Sequence, residues 1–374
     1  MVSLSSIRKH YYSWWKNLDK PIFSIIIILF ITGLFFSLVS TSLVASNKLN
    51  TNDFSFFFKH SIFIILGLSI ILFLSSIDKN KLYQFSILMF CISMVLLILV
   101  PVIGVEVKGS KRWLDFILLP RFQPVELLKP FFVVIVSLIL CSKYQLNLSI
   151  KYLISLLVAL SVSLLLVIQP DIGQTLLISS CWAILVFVSG INIYFFLIFA
   201  LLSVLSFLYL VVFVPKFTYI KMRIISFFNS ETGTHNFQSD KAIESISSGG
   251  FFGKGLGEGV LKNRVPEAHT DYIVSVISEE FGVLSIIFIL FIFIVFIYFV
   301  FKKIRFEEDV KIKLILTGCI SLILFQALIH IGVNIRLFPT TGMTLPYLSY
   351  GGSSIISVSL LSGIILNLTK RRIS

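Results

Sequence analysis

The chain has 374 residues, 57% of them hydrophobic and only 13% charged, with a mean hydropathy of +1.00 and a formal net charge of +13. A soluble domain does not carry that apolar load in long blocks, so the composition excludes one and describes an all-α polytopic membrane protein with no nucleic-acid partner. The apolar blocks predict ten spans, over 21–45, 60–77, 82–104, 124–141, 149–168, 174–190, 192–214, 280–301, 312–335 and 345–368.

The polar start contains Arg8, Lys9, Lys16 and Lys20. The span that follows has roughly 25 apolar residues and no cleavage site, which exceeds a signal-peptide core and predicts an anchor that stays. Lys and Arg near span ends then set the orientation. The start, the 302–313 loop with Lys302, Lys303, Arg305, Lys311 and Lys313, and the end with Lys370, Arg371 and Arg372 belong inside, which agrees with an even number of spans. The chain reads as one domain over 1–374, with 1–20 and 369–374 cytoplasmic and 216–272 a large outer loop between the seventh and eighth spans.

The outer side nonetheless keeps basic residues against that bias: Lys108, Lys111, Arg112 and Arg121 in one short loop, and seven more in the long one. Such a surplus predicts an anionic partner there, either a substrate or lipid headgroups. The 38 phenylalanines spread over all spans as lipid-facing filler, and Cys91, Cys141, Cys181 and Cys319 lack metal-ligand spacing.

In the 105–123 loop, Lys108 to Leu114 leads into an apolar patch, and Pro124 suits the first turn of the fourth span. Glu126 and Lys129 lie three apart on that helix, hence on one face, as an ion pair at the span end or as groups for gating or substrate contact. Gln169-Pro170-Asp171-Ile172-Gly173-Gln174 breaks the chain before the sixth span, where Asp171 can cap the next helix.

The 57-residue loop Lys216 to Tyr272 opens with apolar residues at helical spacing, predicting an interfacial helix over 216–229. Its Gly249-to-Gly259 stretch holds six glycines in eleven residues, either for close access of backbone amides to a phosphate or sugar or as a flexible connector. No GK[ST] follows, so it is not a P-loop.

The loop closes on Pro266-Glu267-Ala268-His269-Thr270-Asp271, with Lys262 and Arg264 just before and Glu279 and Glu280 just after. Thr270 or Asp271 would serve as an N-cap. The density of titratable groups points instead to chemistry: a carboxylate at the water boundary can take a proton from a sugar hydroxyl, while nearby cations hold a pyrophosphate leaving group. Lys111, Arg112, Lys262 and Arg264 are the candidates for that anion. Whether a divalent cation assists is left open, since no ligand set is evident. Finally, His330, Asn334, Arg336 and the hydroxyl-rich Phe338 to Ser354 predict an irregular polar segment at a cavity rim.

At these residues the sequence resembles the SEDS family of peptidoglycan glycosyltransferases. The likeness covers nearly the whole chain and rests on KGSKRWLDF at 108–116, FQPVELLK at 122–129, QPDIGQTLL at 169–177, AIESISSGGFFGKGLGEG at 242–259, VPEAHTDYIVSVISEEFG at 265–282 and LFPTTGMTLPYLSYGGSS at 337–354. It implies ten transmembrane helices in a bacterial inner membrane, an outer active site, and polymerisation of lipid II beside a class B penicillin-binding protein and other division proteins. It also implies that Asp271 is the essential carboxylate and that Glu267, Arg112, Glu126 and Lys129 match further polar positions; His269 lies inside the same element. PEAHTD and the glycine stretch are closer to division members than to elongation members, and Val125 departs from the small polar residue usual there. Lipid II transport without bond chemistry is the alternative activity, and a purely structural division scaffold is another.

Overall fold

Apolar runs in hydrocarbon fold as helices because every backbone amide and carbonyl must be paired within its own segment. The computed structural model describes residues 12–41, 55–107, 110–116, 119–142, 148–214, 217–218, 221–222, 225, 237–259, 265 and 267–370. Among them seven helices are long and apolar enough to cross a membrane. These are α1 (Lys20–Thr41), α2 (Ser55–Ser76), α3 (Lys79–Ile103), α5 (Leu148–Ile168), α7 (Ile193–Phe213), α9 (Ile273–Phe306) and α10 (Val310–Asn334).

Three further apolar helices, α4 (Pro124–Leu140), α6 (Ile172–Val188) and α11 (Gly352–Leu368), have 17 residues each. At about 1.5 Å per residue they span about 25 Å, less than the roughly 30 Å of a hydrocarbon core. None is extended by more helix at its start: a β-strand precedes α4, and non-helical segments precede α6 and α11. The bundle is therefore regular at one end and broken and polar at the other.

The helices divide into a centre and a rim. In α10, 72% of the most apolar window is buried within the protein, against 7% in α7. Central α11 packs on α2 and α4, and α4 on α3. The rim helices turn Leu201, Leu205 and Tyr209 outward, as lipid-facing residues should be.

Four expectations change. The 105–123 loop is not helical or irregular but a three-stranded antiparallel sheet, β1 (Val105–Val107), β2 (Ser110–Phe116) and β3 (Leu119–Phe122), in the order β1-β2-β3. The all-α description therefore fails there, because β-rich residues with hairpin pairing find backbone partners outside any helix. The eighth apolar element starts at Ile273 rather than at 280, and the last starts at Gly352 rather than 345. The long loop contains its own helix, α8 (Phe237–Gly249), packed on α9 and α10. Most of the interfacial helix expected over 216–229 lies outside the described residues.

The fourth change concerns the glycine run. Helix α9 breaks at Gly282, with φ 76° and ψ 177°, a backbone that leaves helical amides and carbonyls without partners. The run supplies them. Val283 N donates to Gly250 O at 3.0 Å, while Lys254 N and Gly255 N donate to Glu279 O and Glu280 O at 2.9 and 3.0 Å. A Cβ on Gly282 would collide with the Phe251 carbonyl, and one on Gly253 with the Glu280 carbonyl. The Lys254 and Gly255 amides of the run are thereby committed to the broken helix. Glu279, buried, ties the clamp by pairing with Lys254 at 3.4 Å and accepting from Ser245 Oγ at 3.0 Å.

Candidate active site

A cavity of about 480 Å³ lies at the broken end of the bundle. The residues that cap the N-termini of four helices all line it: Gln123 before α4, Asp171 before α6, Tyr272 before α9 and Gly351 before α11. The positive ends of four helix dipoles thus converge on one space, which favours an anionic group there.

Two charge pairs build the cavity floor. Glu126 and Lys129, three apart as the sequence places them, meet at 2.7 Å and are both buried. Lys129 Nζ also donates to Gln326 Oε1 at 2.9 Å, and Gln174 Nε2 donates to Glu126 Oε1 at 2.7 Å. Beside them Asp171 accepts from Gln123 Nε2 at 2.7 Å and from the Gln174 amide at 3.4 Å, the capping bond expected of it. Burial pushes the Asp171 carboxyl above its ordinary value, and Arg112, 3.8 Å away, pulls it back down.

Arg112 is held as well as charged. Its Nε donates to the Gln169 carbonyl at 3.4 Å and its terminal nitrogen to the Pro170 carbonyl. The guanidinium thereby pins the turn that starts α6, which restricts its freedom to hold a pyrophosphate. Ser110, Arg112 and Trp113 of β2 stand in the cavity wall, whereas Lys111 is exposed and outside it. Arg121, which sequence reasoning saw only as part of the basic surplus, lines the cavity and pairs with Asp115 at 3.0 Å.

Asp271 lines the same cavity with Glu267 and Thr270. The turn that carries it is tightly anchored. The Glu267 carbonyl accepts the amides of Thr270, Asp271 and Tyr272 at 3.1, 3.1 and 3.3 Å. Ser349 Oγ donates to the Thr270 carbonyl at 2.8 Å, and Asn334 Nδ2 to the Asp271 carbonyl at 3.0 Å. The N-cap position of α9 belongs to Tyr272, with no side-chain cap bond, so the capping alternative for Thr270 or Asp271 does not hold.

The segment after α10 closes the cavity as a strap over Thr340 to Thr344. A Cβ on Gly342, at φ 74°, would lie 3.7 Å from Asp271 Oδ2, so the strap passes directly against that carboxylate. The hydroxyl-rich stretch read from the sequence therefore reaches the same space as Asp271 and Glu126. His269 does not line the cavity: its ring lies 5.1 Å from Phe56 and 6.1 Å from Tyr350. Lys262 and Arg264 lie outside the described residues.

Gln123, Gln174, Gln326 and Asn334 carry much of this network. Of these, sequence reasoning placed Asn334 at a cavity rim and Gln174 in the helix break at 169–174; Gln123 and Gln326, as uncharged amides, give no compositional signal for this role. Among the described residues no group of three or more His, Cys, Asp or Glu side chains is arranged to hold a metal ion, and no step is routed through one.

The FtsW/RodA/SpoVE family profile, described as cell cycle protein, matches residues 20–373. The chain is similar to the probable peptidoglycan glycosyltransferase FtsW of Caulobacter vibrioides, 31% identical over 367 residues that cover 96% of this chain and 91% of that protein. The corresponding protein of Trichlorobacter lovleyi is 33% identical over 347 residues, covering 88% and 87%. Among solved structures, the fold is similar to a chain from a peptidoglycan synthase complex that coordinates polymerization and crosslinking, with a TM-score of 0.74, 24% identity, and 94% and 97% of the two chains covered. The rod shape determining protein RodA of Thermus thermophilus gives a TM-score of 0.69 at 24% identity, covering 95% and 97%.

Proposed function

The chain belongs to the FtsW/RodA/SpoVE family of cell cycle proteins, and from that membership we propose that it is a peptidoglycan glycosyltransferase polymerising lipid II on the outer face of a bacterial inner membrane. In this reading all ten apolar helices span the bilayer as one domain, with both termini inside. The short α4, α6 and α11 complete their crossings through the polar segments around the cavity. Residues 216–272 form the large outer loop.

The reaction is an inverting sugar transfer. The 4-hydroxyl oxygen of one lipid-linked disaccharide attacks the anomeric carbon of another, and the bond from that carbon to the polyprenyl diphosphate breaks. Asp271 takes the hydroxyl proton. The departing diphosphate keeps the bonding electrons, and the converging helix N-termini offset its charge. Lys262 and Arg264 stay candidates for the same anion, with Lys111 at the exposed edge; Arg112 is assigned to fixing the turn before α6. Glu267 and His269 shape the Asp271 turn, and Glu126 with Lys129 supports the floor.

The observation that carries this reading is the Asp271 carboxylate in the wall of a cavity onto which four helix N-termini converge. Relatives called FtsW favour division over elongation. The partner would be a class B penicillin-binding protein, in line with the synthase complex that holds the similar fold, together with other division proteins and membrane lipids. The test is polymerisation of purified lipid II by the parent protein with its partner, against Asp271→Asn. Loss of polymer with an unchanged melting temperature is expected. Equal polymer from both removes Asp271 from its role, and lipid movement across vesicles without polymer favours a transporter. Complementation of division-defective against rod-shape-defective cells separates the two pathways.

A further inference from the structure

Among the buried polar atoms of the cavity wall with no hydrogen-bond partner among the described residues are Gln174 Oε1 and Thr341 Oγ1. Gln174 is only 4% exposed. The chemistry of its neighbour fixes the orientation of its amide. Glu126, paired to Lys129, can only accept, so Nε2 faces it at 2.7 Å and Oε1 faces away.

Thr341 lies against the residue before Gln174. A Cβ on Gly173 would be 3.0 Å from Thr341 Cβ, so the bare position before Gln174 lets the strap close onto the start of α6. The next strap residue, Gly342, is the one that faces Asp271 Oδ2. An unpaired carbonyl-type acceptor and an unpaired hydroxyl therefore line the same cavity as Asp271, with space between them for a ligand. The strap cannot readily relax to pair them, because His330 Nδ1 holds the Met343 carbonyl at 2.7 Å and Gln326 Nε2 donates to the Thr344 carbonyl at 3.0 Å. An unpaired buried polar group costs about 1–3 kcal/mol, which a ligand with matching groups would remove.

We propose that Gln174 and Thr341 form a subsite for a secondary amide of the substrate, the 2-acetamido group of a sugar. The amide N–H donates to Gln174 Oε1, and the amide carbonyl accepts from the Thr341 hydroxyl. Two of the surrounding carboxylates are matched by a cation, Glu126 by Lys129 and Asp171 by Arg112. That balance suits a neutral group rather than a phosphate. The subsite rests on the lipid-linked disaccharide reading given above.

The test measures binding and polymerisation of lipid II and of the same lipid-linked disaccharide stripped of its 2-acetyl groups. The parent protein is expected to prefer the acetylated lipid by about tenfold or more in kcat/KM. Gln174→Leu and Thr341→Val are expected to cut that preference to about twofold or less, chiefly through KM, while Thr341→Ser, which keeps the hydroxyl, retains it. The ratio of the two lipids is internal to each variant and is insensitive to general damage; Thr341→Ala replaces any valine variant that fails to fold. A parent without preference, or preference kept in both Gln174→Leu and Thr341→Val, overturns the subsite. Selective binding without polymer sustains the subsite and sinks the glycosyltransferase reading; loss of both sinks both.

Discussion

The side-chain amide of Asn334 donates to the backbone carbonyl of Asp271 at 3.0 Å while its oxygen accepts the Ser275 amide at 3.2 Å, so the last turn of α10 sets the position of the turn that carries the carboxylate. Asn334 is fully buried, and a second bond to the His330 carbonyl at 2.8 Å fixes its rotamer. Asn334→Asp would place an acceptor against an acceptor and shift the turn. A misplacement near 1 Å costs about 10²-fold in rate, so kcat should fall by about that factor with KM little changed. Steady-state polymerisation kinetics check it; an unaltered kcat would detach Asn334 from the site.

The Glu126–Lys129 pair predicts strongly non-additive stability. Lys129→Met strands a buried carboxylate and is expected to cost about 3–5 kcal/mol, whereas Lys129→Met with Glu126→Leu removes both charges and should recover much of the loss. Thermal unfolding in detergent measures both. Additive losses would show that the two groups do not compensate one another.

The clamp at the α9 break predicts a local effect of Gly282→Ala. A methyl group there meets the Phe251 carbonyl and must adopt a positive-φ, extended-ψ backbone that is essentially glycine-only, which costs roughly 1–3 kcal/mol even without the collision. The amides of Lys254, Gly255 and Val283 should lose hydrogen-exchange protection together, since they close one set of bonds. Retained protection at all three would mean that the break is held by something else.

Arg112→Lys distinguishes fixing a turn from binding an anion. Lysine keeps the charge but cannot reach the Gln169 and Pro170 carbonyls and Asp171 at once. A lower melting temperature with an unchanged KM for lipid II is expected. A KM raised about tenfold at an unchanged melting temperature would return Arg112 to the pyrophosphate.

Much of this molecule is written locally. Apolar blocks near 20 residues dictate helices, since backbone groups in hydrocarbon have no other partners. The three-residue spacing of Glu126 and Lys129 forces them onto one face, and Asp171 caps α6 as its place after Pro170 suggests. Asp271, Glu267 and the hydroxyl-rich strap were also legible, as polar groups stranded at span ends.

What no local pattern could decide is who meets whom. Gln174 and Thr341 are 167 positions apart in the chain, and only the packing of a strap against a bare glycine brings them into one cavity wall. The glycine run looked like a cradle or a tether because its partner, the break at Gly282, lies in another element whose interruption a hydropathy profile does not register. Arg112 looked available because the carbonyls it holds belong to a distant turn. Hydrophobicity is summed along the chain and so can be read there, whereas hydrogen bonds are made across it and exist only once the helices have packed.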